Sequence, residues 1–174
     1  MWVTKRKFFI IDVVIAFLGL MLDQFTKYLA VAHLKEQPAV SLIPDVLELR
    51  YLENRGAAFG MLQNQKMFFV IMTTIIMIFC LYALWNMPSE KKYYPLHILG
   101  GFLMAGALGN FIDRIRLDYV VDFIYFKLID FPIFNVADIY VTMICVIGIL
   151  LVFFGKYKDE DFDFLKRKQR QSAE

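Results

Sequence analysis

Two aspartates with apolar neighbours on both sides are the residues of this chain best suited to acid–base chemistry. Asp122 stands in the segment VVDF (120–123), and Asp138 closes the segment FNVAD (134–138) before a long apolar run. Burial raises the pKa of a carboxyl group, and a second carboxylate nearby raises one of the two pKa values further. Two acids that share one proton can activate water with one group and protonate a substrate carbonyl or a leaving amine with the other. The alternative is that both aspartates only cap and anchor the chain.

Composition places these residues in a membrane protein. The chain has 174 residues, is 59% hydrophobic and has a mean hydropathy of +0.54, whereas a soluble domain is about 45–50% apolar. The net charge of +2 is too small to suggest a nucleic-acid partner. Cys80 and Cys145 fall inside apolar runs, and we expect His33 and His97 near opposite membrane faces. We therefore predict no metal site and no cofactor.

Four apolar stretches predict an all-α fold with four transmembrane helices. Each stretch approaches the roughly 20 residues that a helix needs to cross about 30 Å of hydrocarbon. Together they predict one integral-membrane domain, 1–174. The predicted spans are residues 8–28, 67–85, 95–112 and 137–154.

A cleaved signal peptide is a second interpretation of the first span. Lys5-Arg6-Lys7 precede its apolar core, and Ala30-Val31-Ala32 resembles a cleavage site. However, Asp23, Gln24 and Lys27 form a polar patch just before that site. This patch favours a helix that is retained.

Lysine and arginine residues in the short flanks predict the orientation of the helices. They concentrate at the N-terminus, in the link 86–94 and in the tail 155–174. We therefore predict that these segments, and both termini, face the cytoplasm. The links 29–66 and 113–136 then face outward.

A small sheet is predicted on the outer surface. Apolar and polar residues alternate from Leu47 to Tyr51, which is the pattern of a half-buried strand. Pro44-Asp45 predicts a turn before it, and the partner strands are expected from the same link. The tail from Lys156 mixes charged and aromatic residues, which predicts a short amphipathic helix on the inner surface.

This topology brings polar residues from five separate stretches to the outer face. Ionisable groups close to hydrocarbon are costly and usually mark a site or a pathway. Asp113 is adjacent to Arg114, so we expect these two side chains to form an ion pair. The converging residues are Asp23, Gln24, Lys27, Asn54, Arg55, Gly56, Asn110, Asp113, Arg114, Asp122, Asn135 and Asp138.

Purely structural interpretations stay open for the same residues. Asn135 can cap a helix with Asp138 at its third position, which is close to a capping box. Asp23 and Lys27 are four residues apart and can simply stabilise a helix. Residues 54–56 can form an ordinary turn. It is their convergence on one face that favours a site.

Five short segments stand in order between the predicted spans: DQFTK (23–27), NRGAAFG (54–60), GALGNFIDR (106–114), VVDF (120–123) and FNVAD (134–138). Together they resemble the five motif blocks of the lipoprotein signal peptidases, or signal peptidase II. The resemblance covers most of the chain. Each block alone is a weak signal, whereas all five in this order are specific.

The resemblance implies an aspartic endopeptidase of the bacterial inner membrane, which removes signal peptides from prolipoproteins just before the diacylglyceryl-modified cysteine. It implies Asp122 and Asp138 as the catalytic pair, at the extracytoplasmic face, together with a small outer β-cradle. The expected partners are the prolipoprotein and membrane lipids, and we expect a monomer. Residues implied to shape the site or hold the substrate are Asp23, Lys27, Asn54, Gly56, Asn110, Arg114 and Asn135.

Two other classes of function remain open on the residues alone. A proton- or ion-coupled carrier would use the polar residues as a relay, but they cluster at one face. At depth, the second and fourth spans hold only mildly polar groups such as Thr73, Thr74 and Thr142. A non-catalytic anchor or assembly subunit would leave Asp122 and Asp138 dispensable.

Overall fold

The computed structural model describes residues 2–56 and 61–166, with side chains from Lys5 onward. The chain forms four helices that are long and apolar enough to cross a membrane, which confirms the predicted fold class. Many of their apolar side chains point away from the protein, as do Phe17 and Ile78, because lipid tails are as apolar as these side chains. The helices are α1 (Trp2–Leu34), α2 (Lys66–Asn86), α3 (Tyr94–Leu117) and α4 (Val136–Phe153).

Helices α1 and α3 continue well past the ends of the apolar stretches that predicted them. α1 reaches Leu34 and α3 reaches Leu117, whereas the apolar stretches end at residues 28 and 112. The predicted spans were ended where the charged residues Lys27 and Asp113 interrupt the apolar pattern, although residues 29–34 of α1 are again largely apolar. These charges are buried against each other, so the helices persist. α3 ends where Asp118 adopts a left-handed backbone, with φ of 68°.

Helix α3 lies at the centre of the bundle and packs against the other three helices. Close contact with α4 requires a small residue at Gly106, since a Cβ atom there would lie 2.8 Å from the carbonyl oxygen of Ala137. At Gly109 a Cβ atom would overlap with the carboxylate of Asp23 on α1. Small residues let helix backbones approach closely in lipid. The two glycines thereby bring polar groups of α1, α3 and α4 within reach of one another.

A three-stranded antiparallel sheet packs on the C-terminal end of α1. Strand β2 contains the predicted strand and pairs with β1 across the turn at Pro44-Asp45, as expected. The expectation that the partner strands come from the same link is wrong for β3, which lies in the second outer link. β3 was not predicted because all of its first four residues are buried and show no alternation. The strands are β1 (Val40–Ile43), β2 (Leu47–Asn54) and β3 (Val120–Phe126), in the order β1-β2-β3.

At the other end of the bundle, Asp12 of α1 and His97 of α3 form a buried pair. Nδ1 of His97 lies 2.9 Å from Oδ2 of Asp12, and both side chains are almost fully buried. The His97 ring also packs on Phe8, with 4.7 Å between the ring centroids. Within the described ranges, Nε2 of His97 has no hydrogen-bond partner. His97 is therefore a packed residue, and its partner Asp12 joins α1 to α3.

The segment after α4 folds back on this same end, and we call residues 156–165 the C-terminal strap. Asp159–Leu165 forms a 3-10 helix, not the amphipathic surface helix that the sequence suggested. The Tyr157 hydroxyl donates to the carbonyl of Lys92 at 2.5 Å, and its ring packs near Tyr93. The aromatic residues of the strap thus pack on the ends of α2 and α3 instead of lipid. Residues 167–174 of the predicted tail lie outside the described residues.

Candidate active site

Asn135 brings the two candidate catalytic aspartates together. Asp122 lies in the buried half of β3, and Asp138 is the third residue of α4. The side-chain Nδ2 of Asn135 donates to Asp122 Oδ1 at 2.6 Å, and its backbone N–H donates to Asp138 Oδ2 at 3.1 Å. Two carboxylates from separate elements therefore meet at one residue.

The capping interpretation of Asn135 and Asp138 is also confirmed. The Asn135 side chain accepts from the backbone N–H of Asp138 at 3.1 Å, which completes a reciprocal capping box at the start of α4. One oxygen of Asp138 is engaged in the cap, while the other accepts from Nδ2 of Asn110 at 2.8 Å. Capping and a role in the site are therefore compatible, because the cap fixes the orientation of the Asp138 carboxylate.

Asp122 lies where a carboxylate is difficult to ionise. It is 1% exposed, and its other oxygen accepts from Nδ2 of Asn54 at 2.8 Å. Burial, and then the nearby charge of Asp138, raise the pKa of Asp122 to about 7, although the hydrogen bonds from Asn54 and Asn135 oppose this rise. Asp122 therefore holds a proton through most of the acidic range.

Asn110 links the aspartates to a buried cation. Its Oδ1 accepts from Lys27 Nζ at 2.8 Å and from Asn135 Nδ2 at 3.2 Å, while its Nδ2 donates to Asp138. This arrangement fixes the orientation of the Asn110 amide, since its oxygen has only hydrogen-bond donors as partners and its nitrogen has a carboxylate acceptor. A chain of hydrogen bonds consequently runs from Lys27 through Asn110 to both aspartates.

Lys27 is held between two buried carboxylates. Its Nζ lies 2.9 Å from Asp23 Oδ2 and 3.0 Å from Asp113 Oδ2, and all three side chains are at most 5% exposed. The predicted pairing of Asp113 with Arg114 is therefore wrong. Adjacent residues on a helix do not face each other, so Asp113 turns toward α1 while Arg114 turns toward the cavity.

Arg114 and Gly56 complete the polar end of the site. The Arg114 guanidinium lies 4.6 Å from the centroid of the Phe69 ring, and one of its nitrogens lies 3.5 Å from the carbonyl oxygen of Gly56. The backbone N–H of Gly56 donates to Asn54 Oδ1 at 2.9 Å, so these residues do form a turn. The remainder of that motif, residues 57–60, lies outside the described residues.

A cavity of about 490 Å³ opens beside the two aspartates. Its polar end is formed by the site residues already described, and its apolar walls come from α2, α4 and the link before α4. Sequence reasoning did not identify Phe69 or the cavity side of α4, because an apolar residue on a membrane helix carries no sign of which neighbour it faces. The apolar lining includes Phe69, Phe131, Pro132, Ile133, Phe134, Ile139, Val141 and Met143.

The nine residues predicted to form or shape the site converge on this region, either at the cavity or in the layer behind it. Arg55, which was also expected there, instead has a side chain that is 47% exposed and pairs with Glu53. Asp122, Asp138, Asn54, Gly56, Asn110 and Arg114 line the cavity, whereas Asp23, Lys27 and Asn135 lie behind them. Among the residues that the structure describes, no group of three or more histidine, cysteine, aspartate or glutamate side chains could hold a metal ion. The arrangement is that of two carboxyl groups beside an apolar cavity.

Comparison with known proteins gives consistent matches. A family model described as signal peptidase (SPase) II matches residues 15–154, which include all five motif blocks. The chain is 37% identical over 158 residues to the lipoprotein signal peptidase of Streptococcus pyogenes serotype M1, covering 91% of this chain and 98% of that protein. It is 45% identical over 146 residues to the lipoprotein signal peptidase of Caldanaerobacter subterraneus subsp. tengcongensis, covering 82% and 96%. A solved bacterial membrane enzyme superposes with a TM-score of 0.69 at 36% identity, over 85% of this chain and 92% of that one.

Proposed function

Because this chain belongs to the signal peptidase II family, we propose that it removes signal peptides from prolipoproteins by aspartic catalysis. It is a multi-pass bacterial membrane peptidase, and cleavage falls before the diacylglyceryl-modified cysteine. The observation that carries the catalytic assignment is that Asn135 holds both Asp122 and Asp138 at the polar end of one cavity.

The two aspartates act by sharing one proton. The ionised carboxylate accepts a proton from water, whose oxygen attacks the scissile carbonyl carbon, while the protonated carboxyl group donates to the carbonyl oxygen. The resulting intermediate breaks its C–N bond as the leaving nitrogen takes a proton from the pair. A hydroxyl group of the intermediate returns its proton, so the pair ends with one proton again. The pKa of about 7 at Asp122 supports a pair that holds this proton at neutral pH.

The remaining site residues orient the acids and the substrate. Asn54, Asn110 and Asn135 donate hydrogen bonds to the two carboxylates. Arg114, whose guanidinium rests on Phe69 at the cavity wall, is placed to hold a peptide carbonyl. Gly56 places the turn that carries Asn54, and Asp23 and Lys27 support the layer behind the cavity.

The cavity suits a substrate that arrives from lipid. Its walls are largely apolar and come from helices whose outer faces contact the bilayer. A signal helix and the lipid chains on its cysteine supply binding energy away from the scissile bond. The partners are therefore the lipid-modified prolipoprotein and the surrounding membrane lipids, and one chain supplies all the site residues, which supports a monomer.

The charge bias of the flanks supports the orientation. Basic residues at the N-terminus, in the link 86–94 and after α4 favour a cytoplasmic location for both termini. The sheet and the aspartate pair lie at the opposite end of the bundle, which is then the extracytoplasmic face of the inner membrane.

Substitution of either aspartate tests the assignment. We expect Asp122→Asn and Asp138→Asn each to lower kcat on a lipid-modified prolipoprotein by at least about 100-fold, because general acid–base catalysis is lost. Cleavage is followed with purified protein in detergent. Asp130→Asn is the matched control, since Asp130 is exposed on the same link and pairs with Tyr125. Full cleavage by either active-site variant would disprove the aspartic mechanism.

A further inference from the structure

Two backbone N–H groups next to the aspartate pair donate to buried carboxylates. The N–H of Val121, which precedes Asp122, donates to Asp113 Oδ2 at 3.2 Å. The N–H of Ala137, which precedes Asp138, donates to Asp23 Oδ1 at 2.9 Å. Each catalytic aspartate is thus anchored through the residue immediately before it.

Lys27 connects these two anchors. Its Nζ lies 2.9 Å from Asp23 and 3.0 Å from Asp113, so one ammonium group joins the carboxylate that holds α4 to the carboxylate that holds β3. We call Asp23, Lys27 and Asp113 the Lys27 clamp. Because β3 and α4 come from different parts of the fold, the clamp is a direct polar connection between the backbones that carry Asp122 and Asp138.

We propose that the Lys27 clamp sets the spacing of the catalytic pair, and that Asp113 is a positioning residue of the reaction. This inference rests on the proposed aspartic mechanism. Asp113 does not line the described cavity, so it acts through Val121 on Asp122 without contacting the substrate. Both oxygens of the Asp113 carboxylate have partners, since the second oxygen accepts from Gln24 Nε2 at 3.0 Å.

The energetics of buried charges favour a positioning role for the Lys27 clamp over simple stabilisation. Replacing a buried ion pair with apolar residues is often neutral or stabilising, so stability alone is a weak reason for three buried charges. A fully satisfied polar network, by contrast, fixes the geometry of its members. A displacement of about 1 Å in a catalytic group can lower a rate by about 100-fold, so this rigidity affects the chemistry directly.

The test compares Asp113→Ala with Asp12→Ala. Both remove a buried carboxylate that pairs with a cationic or polar group between the same helices, α1 and α3, but Asp12 lies at the other end of the bundle. We expect Asp113→Ala to lower kcat by about 100-fold with KM changed less than threefold. Asp12→Ala should keep kcat even if it melts at a lower temperature.

The pH profile separates an effect on the pair from general damage. Asp138 raises the pKa of Asp122 by its charge, whereas Lys27 lowers it. Moving the two carboxyl groups apart and leaving Lys27 with one carboxylate fewer should both lower the upper pKa of the pair. In Asp113→Ala, the residual activity should therefore decline at a lower pH than in the unsubstituted enzyme. A protein that is merely less stable would keep the original profile among its folded molecules.

Asp113→Asn covers the case in which Asp113→Ala does not fold. Its amide oxygen can still accept from Val121, but the charge that Lys27 needs is gone, so we expect kcat to fall by about tenfold, as for one charge-assisted hydrogen bond. Asp12→Asn should leave kcat unchanged. The proposal is overturned if kcat of the Asp113 variants matches that of the Asp12 variants, provided that Asp122→Asn is inactive. If Asp122→Asn is active, the aspartic mechanism itself is wrong.

Discussion

At the residue scale, Asn135 performs two tasks with one side chain. Its oxygen caps α4 and its nitrogen donates to Asp122, so the position of Asp122 relative to α4 depends on the orientation of this amide. An aspartate at this position could accept from the helix but could not donate to Asp122. Only an amide of this length satisfies both sides.

The pKa of Asp122 gives a prediction on pH dependence. Because burial and Asp138 raise that pKa to about 7, the pair loses its shared proton as the pH rises through about 7, and kcat should fall there. Asn54 lowers the pKa through its hydrogen bond to Asp122. We therefore expect the decline in Asn54→Ala to move to higher pH, as measured from initial rates across neutrality. An unmoved decline would show that Asp122 is not the group that titrates.

The raised pKa of Asp122 also makes the stability of the folded protein depend on pH. The pKa of Asp122 is higher in the folded chain than its ordinary value of 3.8, so the folded state binds the proton more tightly than the unfolded state. The stabilisation from Asp122 is therefore complete below about pH 3.8 and is lost as the pH rises through about 7.

Adding a single Cβ atom at Gly109 should also disturb the site. A Cβ atom there would overlap with the carboxylate of Asp23, so Gly109→Ala should displace Asp23 from Ala137 and lower kcat by about 100-fold. Gly148 has no neighbour within 4 Å of such an atom, which makes Gly148→Ala the matched control. Equal kcat in the two variants would show that Asp23 can move without consequence.

At the element scale, the sequence predicted the helices well and the sheet only in part. Apolar length identified all four helices, because lipid exposure leaves a strong signal in composition. β3 gave no alternation, since residues 120–123 are buried on both faces. The partner of Asp113 was also mispredicted, because adjacency in sequence does not show which neighbouring helix a side chain faces. The sequence therefore showed which residues belong to the site more reliably than it showed which of them pair with each other.

The pair between α1 and α3 gives a prediction on stability. Removing one partner of a buried polar pair leaves the other unsatisfied, so Asp12→Ala should lower the free energy of unfolding by about 3 kcal/mol. Replacing both residues, as in Asp12→Leu with His97→Phe, should recover most of this loss. Thermal unfolding in detergent measures both. A double variant as unstable as the single one would mean that the pair has a role beyond packing.

At the scale of the whole molecule, the C-terminal strap lies beyond residues 15–154, which the family model matches, and it still packs tightly. Tyr157 is 3% exposed, within a cluster that includes Tyr93 and Leu84. The strap directly follows α4, and the Tyr82 hydroxyl of α2 lies 3.5 Å from the carbonyl oxygen of Leu165. It therefore ties α4 to α2 at the end opposite the cavity.

We expect Tyr157→Ala to lower the free energy of unfolding by about 3 kcal/mol, as for the loss of a large buried aromatic side chain. Phe153 is 80% exposed, so Phe153→Ala should change stability little and serves as the control. Both variants are made with Cys145→Ser, because Cys145 is an exposed free cysteine. The reaction of Cys80, which is buried in the same cluster, with a maleimide during heating then reports the unfolding. Identical melting of the two variants would contradict a stabilising role for the strap.

The spacing of Asp23 and Lys27 also bears on how the chain is inserted during synthesis. Because both lie on α1, four residues apart, this helix can enter the bilayer with those two charges already neutralising each other. Asp12 has no such neighbour and finds its partner, His97, only when α3 emerges from the ribosome later. The nascent first helix consequently holds one unmatched acid until the third helix arrives beside it.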